Sequence, residues 1–187
     1  MDRRELLKLV ALATGSVVIG GEFLLSGCTN PDAIGGMTFS EADIKFLDEV
    51  SETILPKTKT PGAKDAEVAK FITVMVNDCY TADDQKIFHE GIKKINDTCN
   101  KMHGHSFMKA APEHRTELLK ALDTEAKAYS KSKKKEDPNH YFTQMKQLTL
   151  LGYFTSKPAL TEAFDYHAVP GKYNGAMPYK KGDKLFI

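Results

Sequence analysis

The chain has 187 residues, a formal net charge of +1 and a hydrophobic content of 41%. This length is sufficient for one domain with a sizeable core. The near-neutral charge argues against a nucleic acid as a partner, since proteins that bind nucleic acids usually carry an excess of basic residues.

The first 27 residues have the layout of a bacterial export signal. Arg3 and Arg4 open a charged segment, and a mild apolar stretch follows over residues 9–19. That stretch is shorter than the about 20 residues that a transmembrane helix needs. The pattern predicts a signal peptide over residues 1–27. The paired arginines favour twin-arginine export, which moves folded proteins, and ordinary secretion with two chance arginines is the alternative.

The end of the signal predicts a lipid anchor. The tetrapeptide Leu25-Ser26-Gly27-Cys28 resembles a lipobox, the motif at which bacterial lipoproteins are cleaved and acylated. The resemblance implies that Cys28 is the first mature residue and carries the lipid. Residues 28–38 are then a short polar tether. The mature protein is expected to be exported and anchored to the membrane on its periplasmic side.

Helical periodicity begins after the tether. Ser40, with Asp43 three residues later, predicts a capped first helix that stops before Pro56. Asp65 is the predicted N-cap of a second helix. Apolar residues then recur with helical spacing over residues 68–79, which is typical of an amphipathic helix.

Further helix signals continue through the second half of the chain. Thr81 is a predicted N-cap, Gly104 stands where a helix C-terminus favours glycine, and Pro112 suits a first helical turn. Asp137 and Pro138 predict the start of a fifth helix, and a short sixth covers residues 156–166. No segment alternates as a strand does. The predicted fold is therefore all-α, with a compact domain of five to six helices over residues 39–169 and an irregular tail over residues 170–187.

The polar and sulfur-containing residues do not form a recognisable catalytic motif. Cys79 and Cys99 are predicted to be separate, buried thiols, because helical spacing holds them too far apart for a disulfide. His103 and His105 are the only close histidine pair. The sequence lacks the residue spacings that are typical of zinc sites, haem attachment, catalytic nucleophiles and phosphate-binding loops. We therefore expect no catalytic residue, no bound cofactor and no metal in this chain.

Two segments resemble the gluconate 2-dehydrogenase subunit 3 family. They are residues 54–66, ILPKTKTPGAKDA, and residues 148–156, LTLLGYFTS, the second followed by VPGKYNG at residues 169–175. The resemblance extends from about Phe39 to Pro178. Family members often read Gly-Cys-x-Pro where this chain has Gly-Ala-Met-Pro at residues 175–178, so a cross-link through that cysteine is excluded. The lipobox is also a departure from members that have a plain cleavable signal.

The resemblance implies a non-catalytic small subunit. Such subunits accompany a large FAD-dependent dehydrogenase subunit of the glucose-methanol-choline type that oxidises a sugar or polyol, often together with a cytochrome c subunit. The small subunit carries the twin-arginine signal and assists folding and export of the large one. FAD is expected in the partner and not in this chain. The alternatives are a stand-alone helical lipoprotein that acts as a binding or scaffolding module and, less favoured, an enzyme in its own right.

Aromatic residues predict where the partner is contacted. Tyr153 and Phe154 lie in the second family-like segment, and Tyr173 and Tyr179 lie in the tail. Tyrosine is enriched at interface hot spots, so these four residues are the expected contacts. The alternative for Phe154 is that its ring closes the domain's own core.

Overall fold

The computed structural model describes residues 38–169, 171–172 and 174–187. Within these residues five α-helices follow one another: α1 Glu41–Ile54, α2 Val68–Cys79, α3 Ala82–His103, α4 Pro112–Ser132 and α5 Tyr141–Phe154. A 3₁₀ turn, Phe107–Lys109, lies between α3 and α4, and a short π-helical segment, Ala159–Ala163, follows α5. This part of the chain contains an isolated β-bridge but no strand. The prediction of a compact all-α fold is confirmed.

Several helix ends lie where the local chemistry predicts them. The Ser40 hydroxyl accepts a hydrogen bond from the Asp43 N–H, while the Asp43 carboxylate accepts one from the Ser40 N–H. Gly104 ends α3 in the left-handed conformation, with φ +74°. Pro112 is the first residue of α4. Each of these residues either provides a hydrogen-bond partner for a backbone group at a helix end or avoids leaving such a group unpaired. Its effect is therefore local and does not depend on the rest of the fold.

The predicted start of α2 at Asp65 is wrong. The N-cap is Glu67, which adopts a left-handed conformation with φ +50° and makes no side-chain capping bond. Asp65 has another partner, because its carboxylate accepts a hydrogen bond from the Gly62 N–H at 2.9 Å. The side chain that suggested a helix cap therefore stabilises the preceding turn.

The last two predicted helices also differ from the observed ones. Helix α5 begins at Tyr141 instead of near Pro138, because His140 is the N-cap and its Nδ1 accepts from the Phe142 N–H. The predicted helix over residues 156–166 is reduced to the π-helical segment. The fifth helix and a short helical segment after it both exist, but their boundaries differ from the predicted ones.

Helix α5 lies at the centre of the domain and packs against the other four helices. Its buried residues point in most directions around its axis, which is typical of an internal helix. Two polar members among them contact other helices: the Thr149 hydroxyl lies 3.4 Å from that of Ser51, and Gln144 Nε2 donates to Asp84. The largest fully buried apolar side chains of the core are Phe88, Phe107, Phe142, Leu47, Ile72, Ile95, Leu118, Leu122 and Met145.

Cys79 and Cys99 remain separate thiols, as predicted. Cys99 is fully buried in α3, which also agrees with the sequence analysis. Cys79 is exposed at the end of α2, so the prediction of its burial is wrong. The helical periodicity placed Cys79 on the apolar stripe, but the neighbouring helices do not cover this last position of α2.

The tail returns to the residues that follow the π-helical segment. The Asp165 N–H donates to the Leu185 carbonyl, and the His167 N–H donates to the Ile187 carbonyl, each at 2.9 Å. The described tail residues between these contacts are exposed. Among the described residues, none of the helices combines the length and the apolar character that a membrane span requires.

Candidate functional site

The two segments singled out in the sequence meet in the fold. We name this place the loop–helix corner: residues 55–67, between α1 and α2, and residues 152–156, at the end of α5. The Tyr153 hydroxyl donates a buried hydrogen bond to the Pro61 carbonyl at 2.7 Å. Gly152 lies against the ring of Phe71, where an added Cβ would be only 2.6 Å from Cδ1. Both segments therefore depend on close contact with another element.

Carboxylates hold the loop of this corner together. Glu52 accepts from the backbone N–H groups of Lys57 and Lys64, at 2.8 and 2.9 Å. The Asp65 carboxylate accepts from Gly62 and from the Lys57 ammonium. The backbone bond from Gly62, followed by the bond from Lys57, lowers the pKa of Asp65. The loop is thus fixed by charge-assisted bonds.

An ion-pair network connects the corner to α4. Glu49 on α1 pairs with Lys64 of the loop and with Arg115 on α4. Burial by itself would raise the pKa of Glu49, but the hydrogen bonds and charges of the two basic residues outweigh it and lower the pKa. Arg115 also donates to the carbonyls of Phe107 and Met108, which fixes the 3₁₀ turn.

The predicted contact residues occupy different environments. Tyr153 is 6% exposed and lies within the chain's own interior. Phe154 is 45% exposed, with its ring 5.5 Å from that of Phe164, and Tyr179 in the tail is 66% exposed. Tyr173 lies outside the described residues. Phe154 and Tyr179 are therefore accessible to another molecule, whereas Tyr153 contributes to internal packing.

Further apolar side chains are exposed along the same stretch of chain. They extend from the end of α5 to the C-terminus and, with Phe154 and Tyr179, form what we name the tail surface; the members are Leu151, Tyr166, Val169, Met177, Leu185, Phe186 and Ile187. Isolated exposed apolar residues are common on soluble domains. A series of them in one segment is typical of a surface that contacts a partner.

A second grouping brings together three histidines. His103 in the last turn of α3 and His114 in the first turn of α4 stack with ring centroids 4.2 Å apart. The His105 ring is 6.1 Å from the first and 5.5 Å from the second. The sequence pointed only to the pair at residues 103 and 105. The proximity of Pro112 to Gly104 was the available signal, because two helices joined by a short turn bring their adjoining ends together.

The remaining predicted residues cannot be placed. Arg3, Arg4 and Cys28 lie outside the described residues.

Over the part that is described, no three His, Cys, Asp or Glu side chains are arranged with their ligating atoms around one point. A cleft between α1, α4 and α5 measures about 220 Å³ and has Ile54, Leu119 and Phe142 among its lining residues. Other clefts on the described surface are larger, for example one of about 560 Å³ that is lined by Pro178, Tyr179 and Leu185 of the tail, so size alone does not single out a small-molecule site.

Comparison with known proteins gives one match. The family model described as gluconate 2-dehydrogenase subunit 3 matches residues 41–171. The matched residues include all five α-helices and the whole loop–helix corner. No curated protein and no solved structure gives a significant match to the chain.

Proposed function

Because the chain belongs to the gluconate 2-dehydrogenase subunit 3 family, we propose that it is the non-catalytic small subunit of a membrane-anchored dehydrogenase complex. Membership by itself indicates an accessory subunit of a dehydrogenase complex. In the proposal, the catalytic partner is an FAD-dependent subunit of the glucose-methanol-choline type that oxidises a sugar or polyol. A cytochrome c subunit is a possible third component. This chain supplies no catalytic group and assists folding and export of the catalytic subunit.

The observation that carries the proposal is the extent of the family match. It begins at the first residue of α1 and continues past α5 into the start of the tail. The match therefore concerns the whole helical domain, including the corner in which both family-like segments meet. A match limited to one helix would support only a shared element.

The tail surface supports a protein partner. Phe154 and Tyr179 present aromatic rings to solvent, and Val169 and Met177 are 86% and 49% exposed. Aromatic residues and methionine are enriched in protein–protein interfaces. In the proposal these residues contact the catalytic subunit together with Tyr173. Tyr153 supports the contact indirectly by holding the end of α5 against the loop.

Export and anchoring are the second part of the proposal. The paired Arg3 and Arg4 direct the chain to the twin-arginine route, and Cys28 carries the lipid. Export of a folded complex lets the catalytic subunit acquire its FAD in the cytoplasm. One acyl chain gives only marginal binding to a bilayer, whereas two or more hold a protein stably. A diacylated Cys28 would thus keep the complex at the membrane.

Co-expression with the catalytic subunit tests the escort role. Changing Arg3 and Arg4 to Lys should leave both subunits in the cytoplasm, measured by fractionation and by dehydrogenase activity with an artificial acceptor. The Cys28→Ser variant should be released from the membrane or remain uncleaved. Normal export and full activity of the catalytic subunit in the arginine variant would refute the escort role, and unchanged membrane retention of Cys28→Ser would refute the anchor.

A matched pair of variants tests the contact. Replacing Met177 and Tyr179 together by Ser should reduce recovery of the catalytic subunit with this chain, because both side chains are exposed in the tail. Val74→Ser is the control, since Val74 is 57% exposed but lies on α2. Equal recovery with both variants would remove the tail surface from the interface. If no dehydrogenase accompanies the wild-type chain from its native membrane, the stand-alone scaffolding module replaces the accessory subunit.

A further inference from the structure

The connection that follows α4 carries a dense run of positive charge. We name four lysines the basic run: Lys131, Lys133, Lys134 and Lys135. Lys131 lies in the last turn of α4, where a cation is favourable beside the helix C-terminus. Lys134 and Lys135 lie beyond the helix, so this local effect does not account for them. The run is therefore a candidate surface for a negatively charged partner.

Bonds among the described residues engage only one of the four ammonium groups in the run. The Asp137 carboxylate accepts from the backbone N–H of Lys134 at 2.8 Å, and the Asp137 carbonyl accepts from the Lys133 ammonium at 2.9 Å. Lys131, Lys134 and Lys135 are exposed, and none of the three belongs to an ion pair within the part of the chain that the structure describes. A hydrogen-bonded turn thus presents three exposed ammonium groups.

A short succession of contacts connects the start of the helical domain to the basic run. The ring of Phe39 stacks on His89 of α3, with centroids 4.2 Å apart. Two residues further along α3, Gly91 lies directly against Tyr141, the first residue of α5. The N-cap imidazole of α5 lies 5.7 Å from the ring of Tyr129, in the last turn of α4. The run therefore lies only a few side chains away from the point where the tether joins the domain.

The length of the tether keeps the basic run near the lipid anchor. This step rests on the proposed function, in which Cys28 carries the lipid. Thr38, the first described residue, follows Cys28 by ten positions. Ten residues span at most about 36 Å, so the anchor would hold the start of the domain within that distance of the bilayer. Such tethering gives a high effective concentration, at which a weak contact with the membrane surface is sufficient.

We propose that the basic run docks on the anionic lipid headgroups of the membrane that holds the anchor. Near an anionic bilayer each lysine strengthens binding about fivefold, so three lysines strengthen it on the order of 100-fold. The attraction extends only about 8 Å at physiological ionic strength, so the run must lie at the membrane surface. A second attachment beside the lipid restricts rotation of the domain about its tether and so orients the domain on the membrane.

Flotation with lipid vesicles tests this surface without the anchor. The full-length Cys28→Ser chain is mixed with vesicles of phosphatidylcholine, or of phosphatidylcholine and phosphatidylglycerol, so that every variant shares the same unlipidated N-terminus. Replacing Lys131, Lys134 and Lys135 together by Gln should weaken binding to the anionic vesicles on the order of 100-fold. Binding to the neutral vesicles should not change.

A matched control removes the same charge elsewhere. Lys45, Lys101 and Lys109 are also exposed. Lys101 lies in the last turn of α3 and Lys109 in the 3₁₀ turn. Lys45 adjoins Phe46, whose ring is 5.2 Å from that of Phe107 in the same turn. Replacing these three lysines by Gln should weaken binding to the anionic vesicles less than about fivefold. Circular dichroism checks that both triple variants fold.

Amine acetylation of the lipidated wild-type chain in nanodiscs is a second measurement and needs no variant. Mass spectrometry should show Lys134 and Lys135 less reactive in anionic than in neutral nanodiscs, and high salt should abolish the difference. The same spectra report whether Cys28 carries a lipid. A missing lipid would refute the anchor, and flotation would then decide the docking surface by itself.

Three results would overturn the proposal. The first is equal binding of the two triple variants to anionic vesicles. The second is equal reactivity of the lysines of the basic run in both kinds of nanodisc. The third is loss of the catalytic subunit from the basic-run variant with unchanged vesicle binding, which would assign the run to an acidic face of the partner.

Discussion

Replacing Tyr153 by Phe tests whether the buried bond of the loop–helix corner holds the two family-like segments together. The substitution removes one hydroxyl and leaves the aromatic ring, so packing is nearly unchanged. The hydroxyl donates to the Pro61 carbonyl at 2.7 Å, and both residues are buried. In the variant the carbonyl loses this donor.

The expected loss of stability in Tyr153→Phe is larger than for an exposed hydrogen bond, because no water replaces the lost donor in the interior. A typical intramolecular hydrogen bond contributes about 0.5–1.5 kcal/mol, and leaving a buried acceptor unsatisfied costs about 1–3 kcal/mol. Tyr153→Phe should therefore lower the free energy of unfolding by about 1–3 kcal/mol. For a chain of this size, each kcal/mol lowers the melting temperature by about 2–4 °C.

Tyr129→Phe provides a matched control. The Tyr129 hydroxyl also donates to a proline carbonyl, that of Pro138 at 3.1 Å, but this bond is exposed to solvent. Water replaces the lost donor there, so the control should change the free energy by less than about 0.5 kcal/mol. Urea unfolding followed by circular dichroism measures both variants. If Tyr153→Phe loses no more stability than Tyr129→Phe, the corner is not held by this bond.

Three further results are expected from the structure. Gly91→Ala should destabilise the chain in urea unfolding although alanine favours helices, because its Cβ would lie 2.7 Å from that of Tyr141; a gain in stability would show that the helices move apart freely. The lowered pKa of Glu49 gives a stabilisation that is present above the ordinary pKa of about 4.5 and is lost as the pH falls through the lowered value. Glu49→Gln should therefore show a smaller loss of stability between pH 6 and pH 3, and an equal acid loss would contradict the assignment. Burial raises the pKa of Tyr141 to about 12 and also raises the pKa of Tyr80, so phenolate absorbance should reveal tyrosines that ionise later than the exposed ones, and uniform titration would count against their burial.

Local chemistry predicted much of the fold. Ser40, Gly104 and Pro112 act through backbone groups within a few residues, so their effects are readable without the tertiary structure. The all-α class follows from the same helical periodicity. Asp65 shows the limit of this reasoning, because an aspartate before an apolar run can bond backward into a turn as easily as forward into a helix.

The candidate site was less accessible to prediction because it depends on contacts between distant residues. The bond from Tyr153 to Pro61 joins residues separated by 92 positions. His114 belongs to another helix than its stacking partner His103, so spacing within one helix did not reveal the grouping of the three histidines. The aromatic character of Phe154 and Tyr179 marked both as contact candidates, but only the packing distinguishes them from the buried Tyr153.

The last residues of the tail bond back to the residues after the π-helical segment, so the tail forms a closed loop. This loop affects where the chain can tolerate insertions and deletions. Backbone bonds from Asp165 and Ile187 hold both ends of the tail together, and the described residues between them lie outside the helical core. The entropic cost of closing a loop rises slowly, by about 0.6 kcal/mol for each doubling of its length. Insertions or deletions there would be inexpensive for the helices. The tail is thus a site where evolution could fit the same domain to partners of different shape.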